Sequence, residues 1–320
     1  MAPAVRRSVA LLAVFTALCA PTRAGAYSWP LKPFDGPHPI RGAFGDPRFH
    51  LDAEGALSAF HFGVDIAAPD GTRVYAVEPG YVHARASSVA VESRTGRVFG
   101  YWHIVPAVDT GQHVKRHQLI GRVARGWGHL HFAESFHGAY KNPLRKGALT
   151  PFIDRSLPVI ESVALLSPSG GGINPEHVVG AIDVAASIYE LPPVPDPPPW
   201  QVARLTPATI WWTLSGANGV SLSPLVVDFG LGLPLNGLYN WIYATGSYQN
   251  KANRPGHYVF WLAHGLNTAD LPDGRYELTV SAENTRGQIG TASVSLVTAN
   301  GVPAATARTL IPQPGRPGAR

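Results

Sequence analysis

The 320-residue sequence has very little cysteine, methionine or charge. It contains one cysteine, one methionine and only 15% charged residues. The single cysteine, Cys19, lies close to the start, so a chain cleaved beyond it has none. Disulfides and cysteine nucleophiles or ligands are then excluded, and any metal chemistry falls to histidine and carboxylate side chains.

The low charge also bears on fold class. Long surface helices are usually rich in charged residues, whereas short strands joined by turns are not. Glycine and proline are abundant, with 34 and 30 residues, and hydrophobic residues make up 45% of the chain. We therefore expect an all-β protein, long enough for two domains of roughly 100–150 residues each.

Residues 1–26 have the composition of a secretory signal peptide. Arg6 and Arg7 precede an apolar run over residues 9–15, and small residues at 24–26 offer a cleavage site before Tyr27. A membrane anchor is the alternative, but Pro21 and Arg23 interrupt the apolar stretch before the roughly 20 residues that a span requires. We predict a secreted or extracytoplasmic protein of the cell wall or periplasm, without a membrane span after cleavage.

The segment 1–26 has one more alternative fate, and its removal also changes the net charge of the chain. Lipoprotein processing at Cys19 is disfavoured, because Leu18 is a poor fit to the small residues expected before such a cysteine. Loss of the three arginines at 6, 7 and 23 leaves 23 basic and 21 acidic residues, a formal net charge of +2 instead of +5. No basic stripe with interleaved aromatic residues is present, so we expect no nucleic-acid partner.

The mature chain divides by composition into two predicted domains and a tail. Residues 27–152 hold most of the histidines, and the polar joint 154–158 leads into residues 153–301, predicted to be a β-sandwich of immunoglobulin or fibronectin type. Residues 302–320, rich in Pro, Ala, Gly and Arg, are predicted to be disordered. The proline-rich segment 191–199 is either a linker or, as we favour, an inter-strand loop. Period-two alternation predicts strands over residues 160–166, 178–188, 209–214, 276–282 and 291–297.

Two short segments of the first domain carry the candidate chemistry. His61 and Asp65 are separated by Phe62-Gly63-Val64, and a bend at Gly63 could bring both side chains to one metal ion. In the segment 128–132, alternation predicts a strand that projects His129 and His131 from the same face. Two imidazoles and a carboxylate leave one coordination position open, as hydrolytic zinc sites require, with the fourth polar residue beside them.

The surrounding blocks make this pattern far more specific. His61 to Asp65 is a His-x-x-x-Asp motif, and His129 to His131 is a His-x-His motif. Between and around them lie Arg41-Gly42-Ala43-Phe44-Gly45, residues 63–71, Gly80-Tyr81-Val82, Tyr101-Trp102-His103-Ile104 and the segment 111–121. From about residue 39 to 134 the sequence resembles the lysostaphin-type (LytM-like) zinc metallopeptidases, which cut peptide cross-links in bacterial cell walls.

The resemblance implies roles for five residues. His61, Asp65 and His131 match the zinc ligands, with one zinc ion per chain. His103 and His129 match the pair beside the metal that transfers protons and stabilises the oxyanion, without a division of the two roles between them. The implied fold is an antiparallel β-sheet domain with an active-site groove. One departure from the family is the short segment 122–128, which replaces a Gly/Ser/Thr stretch bordering the groove in relatives.

The sequence thus predicts a secreted zinc metalloendopeptidase acting on peptidoglycan stem peptides or cross-bridges. Signatures of serine hydrolases, P-loop proteins and His-Glu-x-x-His peptidases are missing. One rival is a catalytically silent wall-binding or regulatory module of the same fold, although no ligand is lost here. Another is an adhesion or scaffold protein that binds through its sandwich. A separate activator protein is a further conceivable partner.

Overall fold

The computed structural model describes residues 25–52, 55–216 and 219–301, without the side chains of residues 49–58. The predicted signal peptide, except its last two residues, and the predicted disordered tail lie outside the described residues. Within those ranges, no helix is long and apolar enough to span a bilayer. The prediction of an all-β protein with antiparallel sheets is confirmed. In the described part of the chain, helix is limited to α1 (Tyr239–Ile242) and two 3-10 turns, Asn236–Leu238 and Thr268–Asp270.

The N-terminal region, residues 25–152, is built from thirteen of the described strands. They are β1 (Ile40–Gly42), β2 (Pro47–Asp52), β3 (Gly55–Phe60), β4 (Val64–Ala67), β5 (Arg73–Tyr75), β6 (Gly80–Arg85), β7 (Ser88–Glu92), β8 (Arg97–Trp102), β9 (Ile104–Pro106), β10 (His113–Val114), β11 (Leu119–Val123), β12 (His129–Phe136) and β13 (Ala139–Lys141).

The main sheet of this region has the order β1-β4-β12-β8-β7-β6-β10, with β13 paired to β12. A smaller sheet, β5-β11-β9, accompanies it, and β2 and β3 form a separate hairpin. Strand β12 lies between β4 and β8, and its residues Leu130 and Phe132 are fully buried in the core. The central position of β12 places its opposite face at the middle of the sheet, where three strands can contribute side chains to one site.

The C-terminal region, residues 153–301, contains the other eight described strands. They are β14 (Val159–Leu166), β15 (Ala181–Tyr189), β16 (Thr209–Gly216), β17 (Ser221–Leu222), β18 (Leu225–Asp228), β19 (Val259–Asn267), β20 (Gly274–Glu283) and β21 (Ile289–Thr298).

These eight strands form two antiparallel sheets, β14-β15-β19 and β17-β16-β20-β21, with β18 also paired to β16. The predicted strands 276–282 and 291–297 lie within β20 and β21, which form an antiparallel hairpin. Trp212 of β16 is buried and its indole N–H donates to the carbonyl of Leu262 on β19 at 2.7 Å, which joins the two sheets. The immunoglobulin or fibronectin type of this region stays a prediction.

An aromatic contact joins the two regions. The ring of Phe60, at the end of β3, lies 5.5 Å from that of Phe229, 5.4 Å from Tyr239 and 6.0 Å from Tyr243. The Tyr243 hydroxyl also donates to the carbonyl of Gly45 at 2.9 Å. Because the residues at this contact are buried, one continuous apolar cluster extends through both regions. The second region is therefore packed against the first directly.

Candidate metal centre

Three side-chain atoms converge at the end of β4 and β12. Nε2 of His61 lies 2.8 Å from Nδ1 of His131 and 3.2 Å from Oδ1 of Asp65, and the last two atoms are 3.1 Å apart. Metal–ligand bonds of about 2.0–2.2 Å in a tetrahedron place ligand atoms roughly 3.3–3.6 Å apart, only slightly wider than this triangle. Two imidazole nitrogens and one carboxylate oxygen fit a zinc ion, and these residues could hold a metal.

The strand pairing explains why these residues meet. Asp65 on β4 is directly opposite His131 on β12, so both side chains leave the same face of the sheet. His61 precedes β4, and the chain bends at Gly63 to bring it back over that face. A Cβ atom at Gly63 would lie 2.4 Å from the carbonyl of Phe132 and 2.8 Å from Nε2 of His131. The spacer therefore requires glycine at this position.

Neighbouring groups hold two of the three ligands in place. Nδ1 of His61 lies 2.7 Å from the carbonyl oxygen of Ala43, so an N–H donated there leaves Nε2 as a free lone pair. Arg48 donates to Oδ2 of Asp65 at 2.9 Å, which turns Oδ1 toward the two histidines. A Cβ at Gly42 would lie 2.8 Å from both Arg48 and Asp65. A side chain there would displace this ion pair.

Burial and neighbouring groups keep His61 and Asp65 in the protonation states that metal binding needs. It lowers the pKa of His61 to about 3, with the nearby Arg48 cation adding to the effect. For Asp65, burial acts to raise the pKa, but His61, His131 and Arg48 together hold the pKa of this carboxyl well below its usual range. At neutral pH His61 is a neutral imidazole and Asp65 a carboxylate, as metal ligation requires.

His129 and His103 lie beside the candidate ligands. Nε2 of His129 is 3.6 Å from Oδ1 of Asp65, and the rings of His103 and His129 are 4.7 Å apart between centroids. Burial is the largest cause that lowers the pKa of both imidazoles, to about 3 for His103. Both are therefore neutral at pH 7 and can accept a proton or donate an N–H bond.

His103 has an unusual backbone conformation. Its φ is +64°, in the left-handed region that residues with a Cβ seldom adopt, between the end of β8 and the start of β9. Its ring is stacked on that of Trp127, with centroids 3.6 Å apart and planes inclined by 13°. The carboxylate of Asp70 in turn accepts bonds from the amides of Gly126 and Gly128. The short segment 122–128 thus supports one of the two candidate catalytic histidines.

Arg41 contacts the other histidine. Its Nη2 lies 2.6 Å from Nδ1 of His129, and the carbonyl of Trp127 lies 2.7 Å from the same nitrogen. A guanidinium can only donate, so its bond requires a bare Nδ1, whereas the carbonyl requires an N–H there. Arg41 and the Trp127 carbonyl therefore favour opposite tautomers of His129. When Arg41 donates to Nδ1 of His129, the hydrogen of the neutral imidazole is on Nε2.

The candidate metal site opens into a cleft of about 610 Å³ that both regions line. Aromatic rings of the N-terminal region, Phe62, Trp102 and Trp127, form much of its wall. The C-terminal region contributes Trp200, Gln249 and Asn250. All residues lining the cleft are Arg41, Arg48, His61, Phe62, Asp65, Trp102, His103, Gly126, Trp127, His129, His131, Trp200, Gln249 and Asn250.

The structure brings all five predicted site residues to this cleft. It also adds residues to which the sequence analysis gave no role, namely Arg41, Arg48, Trp127 and Trp200. Arg41 belongs to the block Arg41-Gly42-Ala43-Phe44-Gly45, and Trp127 to the segment 122–128 that departs from the family pattern. Both positions could therefore have been recognised from the sequence. Trp200 directly follows the proline-rich segment, and nothing in the sequence around it indicated a place in the site.

One family model matches a part of the N-terminal region. Residues 59–143 match Peptidase family M23, a span that includes both metal-binding motifs and His103. No curated protein matches the chain. Among solved structures, similar chains include a zinc-containing peptidase from Vibrio cholerae, with 26% identity, a TM-score of 0.28 and coverage of 34% of this chain and 36% of that one.

Two other similar structures are the EnpA M23 catalytic domain from Enterococcus faecalis and the SpoIIQ–SpoIIIAH pore-forming complex. The first has 26% identity and a TM-score of 0.28, over 36% of this chain and 95% of that one. The second has 21% identity and a TM-score of 0.32, over 38% of this chain and 89% of that one. On the match over residues 59–143, the N-terminal region of this chain contains a Peptidase M23 domain of the LytM type.

Proposed function

We propose that this protein is a secreted zinc metalloendopeptidase that hydrolyses peptide bonds in peptidoglycan stem peptides or cross-bridges. The observation that carries the proposal is the convergence of His61, Asp65 and His131 within a triangle of 2.8 to 3.2 Å, beside two neutral histidines. The family match supports a peptidase, and the donor set supports zinc.

The proposed roles follow from this geometry. His61, Asp65 and His131 would hold one zinc ion, which supplies a water of lowered pKa and polarises the attacked carbonyl. His129 and His103 are the proposed catalytic pair, because they flank the ligands and their neutral imidazoles can carry a proton to the leaving amine or donate to the oxyanion. Arg48 is proposed to orient Asp65, and Trp127 to fix the ring of His103.

The silent-module alternative receives less support. A member of the fold that only binds or regulates has no need for a complete ligand set, yet all three ligands and both flanking histidines are present and close together here. The extracytoplasmic location is proposed from the N-terminal sequence pattern and from the wall substrate.

Digestion of purified peptidoglycan tests this proposal. The zinc-loaded mature protein is expected to release new amino groups, and mass spectrometry of the fragments identifies the bond that is cut. About one zinc per chain is expected by elemental analysis. A metal-loaded protein that releases no amino groups from peptidoglycans of different cross-bridge chemistry would refute the enzyme and favour the silent module.

A further inference from the structure

One wall of the active-site cleft comes from outside the peptidase domain. The guanidinium carbon of Arg41 lies 3.8 Å from the centroid of the Trp200 ring, so a cation of the first region is stacked on an indole of the second. Both side chains are partly exposed and both line the cleft that contains the candidate ligands. The pair therefore lies where a substrate chain leaving the metal centre could touch it.

Arg41 has no carboxylate partner of its own. Arg48, the other arginine of the cleft, forms ion pairs with Asp65 at 2.9 Å and with Asp46 at 3.6 Å. Among the described residues, no carboxylate oxygen lies within 4.0 Å of the Arg41 guanidinium. The acidic groups that act on it at longer range are Asp65, a candidate metal ligand, and Asp196, which is buried.

The negative charge of Asp196 offsets the positive charge of Arg41 only in part. Its two carboxylate oxygens are buried and have no hydrogen-bond partner within the described parts of the chain. Burial raises the pKa of this carboxyl to about 7, against the opposing attraction of Arg41. Near neutral pH a share of Asp196 is thus protonated, which leaves positive charge on the cleft side of Arg41. A bound zinc ion would add to it.

The backbone around the pair is held firmly. Asn250 donates through Nδ2 to the carbonyl of Arg41 at 2.8 Å and to that of Arg204 at 2.6 Å, while its Oδ1 accepts from the amides of Arg204 and Gly256. The amide of Asn253 donates to the carbonyl of Pro199 at 2.7 Å, directly before Trp200. The indole and the guanidinium are consequently positioned before any ligand arrives, which lowers the ordering cost of binding.

We propose that Arg41 and Trp200 form a substrate subsite that binds a carboxylate-bearing part of the peptide, so that the C-terminal region determines substrate preference. The proposal rests on the proposed function, since it concerns the same cleft. Nη2 of Arg41 is already bonded to Nδ1 of His129 at 2.6 Å, so the guanidinium, with one face on the indole, has the N–H groups of Nε and Nη1 left to donate to a carboxylate. Trp200 is a positioning residue here, because it acts through Arg41.

A pair of peptides tests the subsite in the full-length mature protein. One is a peptidoglycan stem peptide with its carboxylates free, and the other is the same peptide with those carboxylates amidated. Cleavage of both is measured for the wild type and for Arg41→Gln, Trp200→Ala and Trp200→Phe. Trp241→Ala is the matched control, because Trp241 is an exposed indole of the same region that does not line the cleft.

We expect the wild type to prefer the free-carboxylate peptide by about tenfold or more in kcat/KM, the ratio that one charge-assisted hydrogen bond supports. Arg41→Gln and Trp200→Ala should lose that preference, with the Trp200→Ala effect mainly in KM. Trp200→Phe should keep most of it, and Trp241→Ala all of it. A wild type indifferent to amidation, or variants that keep its preference, would overturn the subsite while leaving the peptidase intact.

Calorimetric titration separates this proposal from the proposed function. If the zinc-loaded wild type cuts neither peptide, the peptidase proposal fails, and the binding affinities of the same two peptides decide the subsite alone. Tighter binding of the free-carboxylate peptide that disappears in Arg41→Gln supports the subsite; equal binding refutes it. If Trp200→Ala does not fold, as judged from its zinc content and thermal midpoint, Trp200→Phe and Arg41→Gln carry the test.

Discussion

The two walls of the cleft differ in what their residues can do. The wall from the N-terminal region contains every imidazole of the site and both arginines, whereas the wall from the C-terminal region contains one indole and two amides. The first wall therefore holds all groups that can bind a metal or move a proton at neutral pH. The second can only shape the cleft and bind, so under the proposed function chemistry and selection of substrate would be divided between the two regions.

This division gives each wall its own kind of mutational effect. Changes to the first wall should remove metal or turnover for every substrate. Changes to the second should alter which substrate is preferred and leave the metal in place. The aromatic contact around Phe60 joins the two, so a change there should act through stability. Four variants, Asp65→Ala, His129→Ala, Phe60→Ala and Arg48→Gln, should perturb the protein with decreasing effect.

Asp65→Ala should have the largest effect, because it removes a proposed zinc ligand and leaves Arg48 without its nearest carboxylate. We expect loss of bound zinc after dialysis, to well below one ion per chain, and with it loss of activity. Elemental analysis checks the prediction, with Asp109→Ala as the control at an exposed carboxylate. An Asp65→Ala protein that keeps zinc at wild-type affinity would remove Asp65 from the ligand set.

His129→Ala should reduce cleavage by about 10²–10⁴-fold, the usual contribution of a general acid or base, while zinc stays bound. Amino-group release from peptidoglycan and zinc content are measured together. The matched control is His113→Ala, an exposed histidine of β10 outside the cleft. If His129→Ala loses its zinc, the residue belongs with the ligands; if its activity is unchanged, it has no role in proton transfer.

Phe60→Ala should destabilise the protein by about 3–5 kcal/mol, since it empties a buried aromatic site shared by the two regions. Urea unfolding monitored by tryptophan fluorescence measures the change. Phe136→Ala, at a ring that is 38% exposed, is the control and should stay within about 0.5 kcal/mol of the wild type. A Phe60→Ala protein of wild-type stability would mean that the regions are energetically independent.

Arg48→Gln should have the smallest effect of the four, because Arg48 supports a ligand without being one. Loss of such a partner typically lowers metal affinity about 10–100-fold. Competition with a chelator of known affinity measures the change, and Arg94→Gln, at an exposed arginine of the same region, is the control. If both variants hold zinc equally well, Asp65 is oriented by the sheet alone.

The candidate metal centre could be predicted from sequence because its proposed ligands stand in two compact motifs. His61 and Asp65 are four residues apart, and the alternation in segment 128–132 already placed His131 on the polar face of a strand. The partner groups were harder to foresee. Arg48 on β2 meets Asp65 on β4 although β3 lies between those strands in the chain, and Trp127 stacks on His103 at a position where the backbone is left-handed.

Whether a strand could be predicted also depended on the pattern of residues along that strand. Strands β14, β15, β16, β20 and β21 were predicted because apolar and polar residues alternate along them, although the strand predicted to start at residue 178 begins at Ala181. Strands β17 and β18 were not, since they have only two and four residues. Strand β19 was also not predicted, because Val259-Phe260-Trp261-Leu262 is a continuous apolar run without a period. Trp200 belongs to no strand, and its place beside Arg41 results from tertiary packing between regions 159 residues apart in sequence.

The aromatic contact around Phe60 has a consequence for dissection of the protein. A fragment that ends at Phe152 would expose the Phe60 ring and the backbone carbonyls of Arg41 and Gly45, which Asn250 and Tyr243 bind in the full chain. Such a fragment would carry the entire ligand set and yet be prone to aggregate through a newly exposed apolar face. We therefore expect the N-terminal region to be prone to aggregate when it is separated from the C-terminal region. Fusions or truncations should keep residues 153–301 attached.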